Sequence, residues 1–206
     1  VKPNPGAEAL FIEKANNGKV LVNPNKFPFI TLSLSVNSML LRKTHQYNII
    51  QMGFSYLYGV LQKYAIKNGE KFYASLSVKD DIIFNKKEYH VIEINNTDFG
   101  YINYKVKPGD NVTSIAHDHL VNDHMILELN ENISDYYDVK AGQLIRIPNS
   151  YARKIVLYLD KISHLPLVQT IYDEKGLYSR IAFSSFILNP KIPDEEFTRN
   201  YHKYKF

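Results

Sequence analysis

An α+β protein is predicted, in which a curved antiparallel sheet carries one packed helix and a small βααβ module interrupts the strands. Three observations predict it. Segments with a two-residue apolar period, such as Phe29 to Val36 and Glu88 to Asn95, are separated by turns rich in Asn, Asp and Gly. One long stretch, from about Asn48 to Lys67, switches to three- and four-residue steps. Between Tyr104 and Pro148 the order is short strand, two helix-length segments, polar loop and short strand.

Taken in order, Ala7 to Glu13 and Lys19 to Val22 read as a hairpin around Asn16-Asn17-Gly18, residues that tolerate positive φ. In Phe29 to Val36 the residues Ile30, Leu32, Leu34 and Val36 fall on one strand face. From Asn48 to Lys67, Ile49, Met52, Leu57, Val60, Leu61 and Tyr64 make an amphipathic helix stopped by Asn68-Gly69. Lys71 to Val78, Ile82 to Phe84 and Glu88 to Asn95 are strands, with Asp80-Asp81 and Asn85-Lys86-Lys87 as turns. Beyond the module, Arg153 to Leu159, Leu167 to Tyr172 and Leu177 to Leu188 are strands, the last two joined by Asp173-Glu174-Lys175-Gly176. Removing the module joins a strand ending near Asn95 to one starting near Arg153, which predicts one sheet interrupted by an insertion.

Composition narrows the function classes. With 206 residues and 45% apolar content the chain can bury a real core. Its net charge of +4 is scattered rather than striped, which argues against nucleic acid. The absence of cysteine excludes disulfides and thiolate chemistry. No apolar run approaches the roughly 20 residues of a membrane span. The chain opens at Val1 with VKPNPG, and a leader segment is expected to have preceded it.

The stretch YKVKPGDNVTSIAHDHLVNDHMILELNENISDYYDVKAGQLIRIP, Tyr104 to Pro148, resembles a LysM domain over its whole length. In it Asp110 or Asn111 is placed to cap the first helix and Asn122 or Asp123 the second. The resemblance implies binding of peptidoglycan or chitin-like glycan containing N-acetylglucosamine, in a groove between two loops. Carried over by position these are Gly109, Asp110, Asn111 and Val112, and Asn132, Ile133 and Ser134. Asn111 stands where that family usually has Thr, and Tyr136-Tyr137-Asp138 lengthens the second loop. Those tyrosines could stack on sugar or pack the module onto the sheet.

The C-terminal run from Ile155 to Phe197 resembles the last strands of the LolA/LolB-like lipoprotein-carrier fold, a half-barrel. The matching elements are Leu157 to Asp160, Leu165-Pro166, Asp173 to Gly176, Asn189-Pro190 and Pro193 to Phe197. The opening GAEALF and NNGKVLVNP stretches look like those of an exported bacterial family with that fold. The resemblance implies a discontinuous host domain, residues 1–100 and 150–206, carrying an inserted domain at 101–149. It also implies a periplasmic or cell-envelope location. A carrier would hold lipid or lipoprotein acyl chains on the concave face, with Phe11, Leu32, Leu34, Phe54, Leu57 and Ile155 as lining; the alternative is a filled core.

Other constellations carry less. His117, Asp118, His119, Asp123 and His124 suggest a metal, but His117 and His119 are two apart and point to different sides of a helix. They read as solvated or half-buried histidines. Lys105, Lys107, Lys140, Arg146 and Arg153 make the module mildly basic, a solvated face or an attraction to anionic wall or lipid. The hydrolase signatures G-x-S-x-G and H-E-x-x-H are absent. A non-enzymatic protein without cofactor or metal is expected.

Overall fold

The computed structural model describes residues 5–27, 29–43 and 45–206; the opening residues at Val1 lie outside it. Two compact units form, residues 1–50 with 187–206 and residues 51–186.

In the first unit, β1 (Glu8–Leu10), β2 (Lys19–Asn23) and β3 (Leu32–Ser35) make a three-stranded antiparallel sheet in that order. The C-terminal tail returns to it, the Lys205 amide donating to the Glu8 carboxylate at 2.8 Å. A short helix, α1 (Met39–Arg42), is capped by Ser38. Its buried Arg42 donates to Asn37 Oδ1 at 3.2 Å and to the Gln46 carbonyl at 2.6 Å. These three strands form a sheet of their own and do not extend the larger one. The expected single curved sheet is thus divided, because Leu32–Ser35 pairs only with β2 and the chain then turns into α1.

The second unit is built on a five-stranded antiparallel sheet in the order β10-β9-β8-β5-β4. Its strands are β4 (Leu76–Phe84), β5 (Lys87–Asn95), β8 (Lys154–Asp160), β9 (Pro166–Asp173) and β10 (Gly176–Ala182). The sheet is open, with β4 and β10 as its edges. On one face lies α2 (Phe54–Asn68), whose Leu57 and Val60 pack with Ile94, Ile155, Leu157 and Ile171. Burying a Leu or Val side chain is worth about 1.5–3 kcal/mol. Across the strands Ile94, Ile155 and Ile171 are register partners, so period-two patterning places all three under the helix.

Four boundaries in this sheet and its helices differ from those expected, each for a local reason. The long helix starts at Phe54, not near Asn48, because the Asn48 side chain accepts the Ile50 amide in an Asx turn and Gly53 is extended at φ −89°. Lys71 to Ala74 belong to a second short helix, α3 (Glu70–Ala74), which buries Phe72 edge-on to Tyr64. Asp80-Asp81 is no turn but a bulge inside a continuous β4, the register shifting between Lys79 and Ile82. Asp81 is held there by Lys161 at 2.7 Å and His90 at 2.8 Å. The last strand stops at Ala182, paired with Val168, and a single further bond, from the Phe183 amide to the Leu167 carbonyl at 2.9 Å, ends the ladder next to Pro166, the first residue of β9.

Between β5 and β8 the chain leaves the sheet and returns. Asn95 and Lys154, the last and first residues of those strands, are register partners. The excursion contains β6 (Tyr101–Lys105), α4 (Val112–His119), α5 (Asp123–Glu128) and β7 (Leu144–Pro148), with β6 and β7 pairing antiparallel. β6 begins at Tyr101, three residues before the expected start, because its ladder runs on to Pro148.

Candidate functional site

The two loops singled out in the sequence meet at one end of the βααβ module. Lys107-Pro108-Gly109-Asp110 turns with the Asp110 amide donating to the Lys107 carbonyl at 3.2 Å, and Gly109 takes φ +88°. The Asp110 carboxylate accepts the Lys107 amide and the Tyr104 hydroxyl, each at 2.8 Å. These two bonds, the amide first, hold its carboxyl below the ordinary value. Asn111 caps α4 in a capping box, accepting the Ser114 amide at 2.9 Å while Ser114 Oγ accepts the Asn111 amide at 3.0 Å. Val112 is fully buried, and its amide donates to the Tyr136 carbonyl at 2.9 Å, which ties the first loop to the second.

In the second loop the Ser134 amide and hydroxyl both donate to Asp138, at 3.1 and 2.7 Å. Ile133 is buried, whereas Asn132 and Ser134 are exposed. The two tyrosines that lengthen this loop part company. Tyr136 is a core residue at 0% exposure, its hydroxyl 2.7 Å from His124 Nδ1, while Tyr137 is 57% exposed. Outward, the two loops therefore present Gly109 backbone and the side chains of Asn132, Ser134 and Tyr137.

Beneath the loops the module is stitched by Asn130, which follows α5 and which the sequence analysis did not single out. Asn130 Nδ2 donates to the carbonyls of Ile126 and Arg146, each at 2.7 Å, and its Oδ1 accepts the Arg146 amide at 2.8 Å. It pairs β7 as a further strand would. A buried Asn directly after an apolar helix and ahead of an isolated strand is the signal that could have found it.

Contacts with the five-stranded sheet and its helix gather at the far end of the module. Asn122, which caps α5, accepts from the Tyr178 hydroxyl of β10 at 3.3 Å. His117, in the last turn of α4, lies 3.3 Å from Lys63 of α2. His117 stands five residues along α4 from Val112, a rise of about 7.5 Å. Burial raises the Glu128 carboxyl here, next to Lys175 and Asp173 of the β9–β10 hairpin. The other histidines are structural too: His119 sits edge-on to Tyr104 at 5.1 Å, and burial lowers its pKa. Among the described residues no three His, Asp or Glu side chains converge as metal ligands.

Of the residues expected to line an acyl cavity, three lie in each unit. Phe11, Leu32 and Leu34 belong to the first unit, Leu32 and Leu34 on its small sheet. Phe54 lies against Phe183 with ring centres 4.6 Å apart and planes tilted by 50°, and Leu57 and Ile155 are buried in the core cluster under α2.

Residues 104–148 match the LysM domain. The match covers the module from Tyr104 in β6 to the end of β7 and nothing beyond it. No curated protein and no solved structure matches the chain. The LysM domain is a binding module rather than a catalytic one, of the kind that takes peptidoglycan or other N-acetylglucosamine glycans. None of the helices, among the described residues, is long and apolar enough to cross a membrane.

Proposed function

We propose that the protein is a non-enzymatic, exported cell-envelope component that binds N-acetylglucosamine-containing glycan of the peptidoglycan type through this module. The LysM match over residues 104–148 carries the proposal. The bound polymer would run between Gly109–Val112 and Asn132–Ser134. Its acetamido groups would meet the backbone at Gly109 and the Asn132 amide, and Tyr137 would offer a face to a pyranose ring. Two features support that reading. The loops are fixed by bonds inside the module, and the sheet grips the opposite end.

On this reading residues 101–149 are an inserted domain, and 1–100 with 150–206 are its host. The pairing of Asn95 with Lys154 supports an insertion at that point. The resemblance of the C-terminal strands to the LolA/LolB-like fold is in keeping with an exported envelope host. The test is an amide NMR titration with N-acetylglucosamine tetramer, together with sedimentation on insoluble peptidoglycan. Shifts at Gly109 to Val112 and Asn132 to Ser134, reduced by Asn132→Ala, are expected. Silence at both loops with no sedimentation would sink the proposal.

A further inference from the structure

Acidic residues are missing from one long part of the chain. Between Glu13 and Glu70 there is no Asp or Glu, whereas seven Lys and Arg residues, from Lys14 to Lys67, fall inside that run. The first unit holds most of it. There ten basic residues stand against five acidic ones, a net charge of +5, while the second unit, with fifteen against sixteen, carries −1. The positive excess of the chain therefore belongs to the small three-stranded unit.

The tip of its β2–β3 hairpin is apolar and open. Residues 24–31 link Asn23 to Leu32, and on that loop Phe27 is 88%, Phe29 67% and Ile30 52% exposed. Phe29 takes φ +56°, where Gly or Asn would ordinarily stand, and its amide closes the turn on the Lys26 carbonyl at 2.6 Å. The end of the tail lies beside this loop. The Lys205 carbonyl accepts from Asn23 Nδ2, and Lys203 and Lys205 are exposed. Tyr201, Tyr204 and Phe206 meet edge-on there, with ring centres 5.0 and 5.6 Å apart. The acid in register with Asn23 is Glu8, whose carboxylate accepts the Lys205 amide at 2.8 Å.

Shape and charge together choose the occupant. The three tip side chains offer roughly 400 Å² of apolar surface, about half of one side of an ordinary protein interface. At 88% exposure the Phe27 ring stands clear of its neighbours and walls no pocket for a shaped ligand. A second copy would set one +5 unit against another. A bilayer needs no complementary shape. It takes protruding rings into its acyl boundary and keeps Tyr at the headgroup level, and an anionic one attracts lysines just above. We propose that the β2–β3 tip, with the end of the tail, docks the first unit onto an anionic phospholipid membrane surface. Phe27, Phe29 and Ile30 enter the acyl boundary, and Lys26, Lys203 and Lys205 face phosphate. The surface and the module belong to different units, so this site does not rest on the glycan reading.

The chain has no Trp, so single substitutions make local probes. Phe27→Trp in the full chain should shift its emission to the blue on vesicles of equal parts phosphatidylglycerol and phosphatidylcholine, and not on phosphatidylcholine alone. Ile162→Trp, at a position 91% exposed in the second unit, should keep its emission unchanged on both. Sedimentation with the anionic vesicles should weaken about tenfold from about 0.01 to 0.15 M salt, as the Debye length contracts from roughly 30 to 8 Å. Phe29→Asn puts a residue suited to φ +56° in place of the ring and should weaken sedimentation at least about tenfold. Lys26→Glu combined with Lys205→Glu should do the same. No blue shift at the Phe27→Trp probe, equal sedimentation with both vesicle types, or binding that survives both sets of substitutions would overturn the proposal. So would a blue shift without vesicles that grows with protein concentration, which would make a second copy the occupant.

Discussion

Asn130 is the point at which the module's stability can be tested most directly. Replacing it with Ala deletes three hydrogen bonds, two to Arg146 and one to Ile126. At roughly 1 kcal/mol net for each bond, the loss is about 3 kcal/mol. A domain of the module's size seldom exceeds about 3–5 kcal/mol from its own core. The substitution should therefore bring the module close to its midpoint while the five-stranded sheet persists. Asn130→Asp should be worse than Ala at neutral pH. It keeps the acceptor for the Arg146 amide but turns the second oxygen, where Nδ2 stood, onto two carbonyls. Native-state hydrogen exchange reads this site by site. Protection should fall by about two orders of magnitude at Val106, Ile145 and Ile147 and hold at Val91 and Leu157. Equal protection in the Asn130→Asp variant and the unsubstituted protein, or a loss spread evenly over both sheets, would refute the reasoning.

Three further outcomes are expected. Asn111→Ala removes the side-chain cap on the Ser114 amide, while the backbone bond from residue 111 to Ser114 Oγ remains, and should cost about 1 kcal/mol in denaturant midpoint analysis, with Asn111→Ser retaining most of the cap. The Asp160 carboxylate accepts the Ser163 amide and hydroxyl and the Ile162 amide, which hold its pKa below the ordinary 3.8. Its contribution is present above that value and is lost as pH falls through the depressed one, so Asp160→Asn should lower stability at pH 7 and flatten the acid limb of the stability curve. His119 has its pKa lowered from 6.5, chiefly by burial and then by Lys67, so the unfolded chain binds its proton more readily. Stability should decline as pH falls from about 7 toward 5, and His119→Gln should remove that slope; an NMR titration midpoint at or above 6.5 would contradict it.

What the sequence made legible is local. Asp173 to Gly176 reads as a turn because Asp at one end and Gly at the other have their own mechanism. The structure shows it: Lys175 N–H bonds to Asp173 Oδ1 at 2.7 Å, and Gly176 takes φ +118°. The caps at Asn111 and Asn122 were readable for the same reason. Asp80-Asp81 was misread because the same residue types also make bulges, and what decides between them is Lys161, some eighty residues away. The start of the long helix failed similarly. The apolar spacing continues back to Ile49, but Asn48 and Gly53 stop the helix before it reaches there.

The candidate site divides along the same line. Its loop positions followed from turn and cap chemistry. The burial of Ile133 and Tyr136 beneath those loops depends on packing that no periodicity announces, unlike that of Val112, which shares a helix face with Ile115 and Ala116. So does the grip of the sheet on the module. One hydroxyl, Tyr178 on an edge strand, reaches the cap of α5, and one lysine on α2 reaches the last turn of α4. Each is a single polar residue among the sixteen tyrosines and many lysines of the chain, with nothing in its neighbours to mark it. These contacts, with the bonds from Asn96 to Arg153 and from Asn149 to Asp98, carry a consequence for binding. The module is held at both strands of its entry and along its far end, so a polymer that engages the loops pulls against the sheet rather than against a flexible tether. On the function proposed above, ligand affinity and the orientation of the sheet would be coupled through the same few bonds. Removing Tyr178's hydroxyl should loosen that coupling without altering the loops themselves.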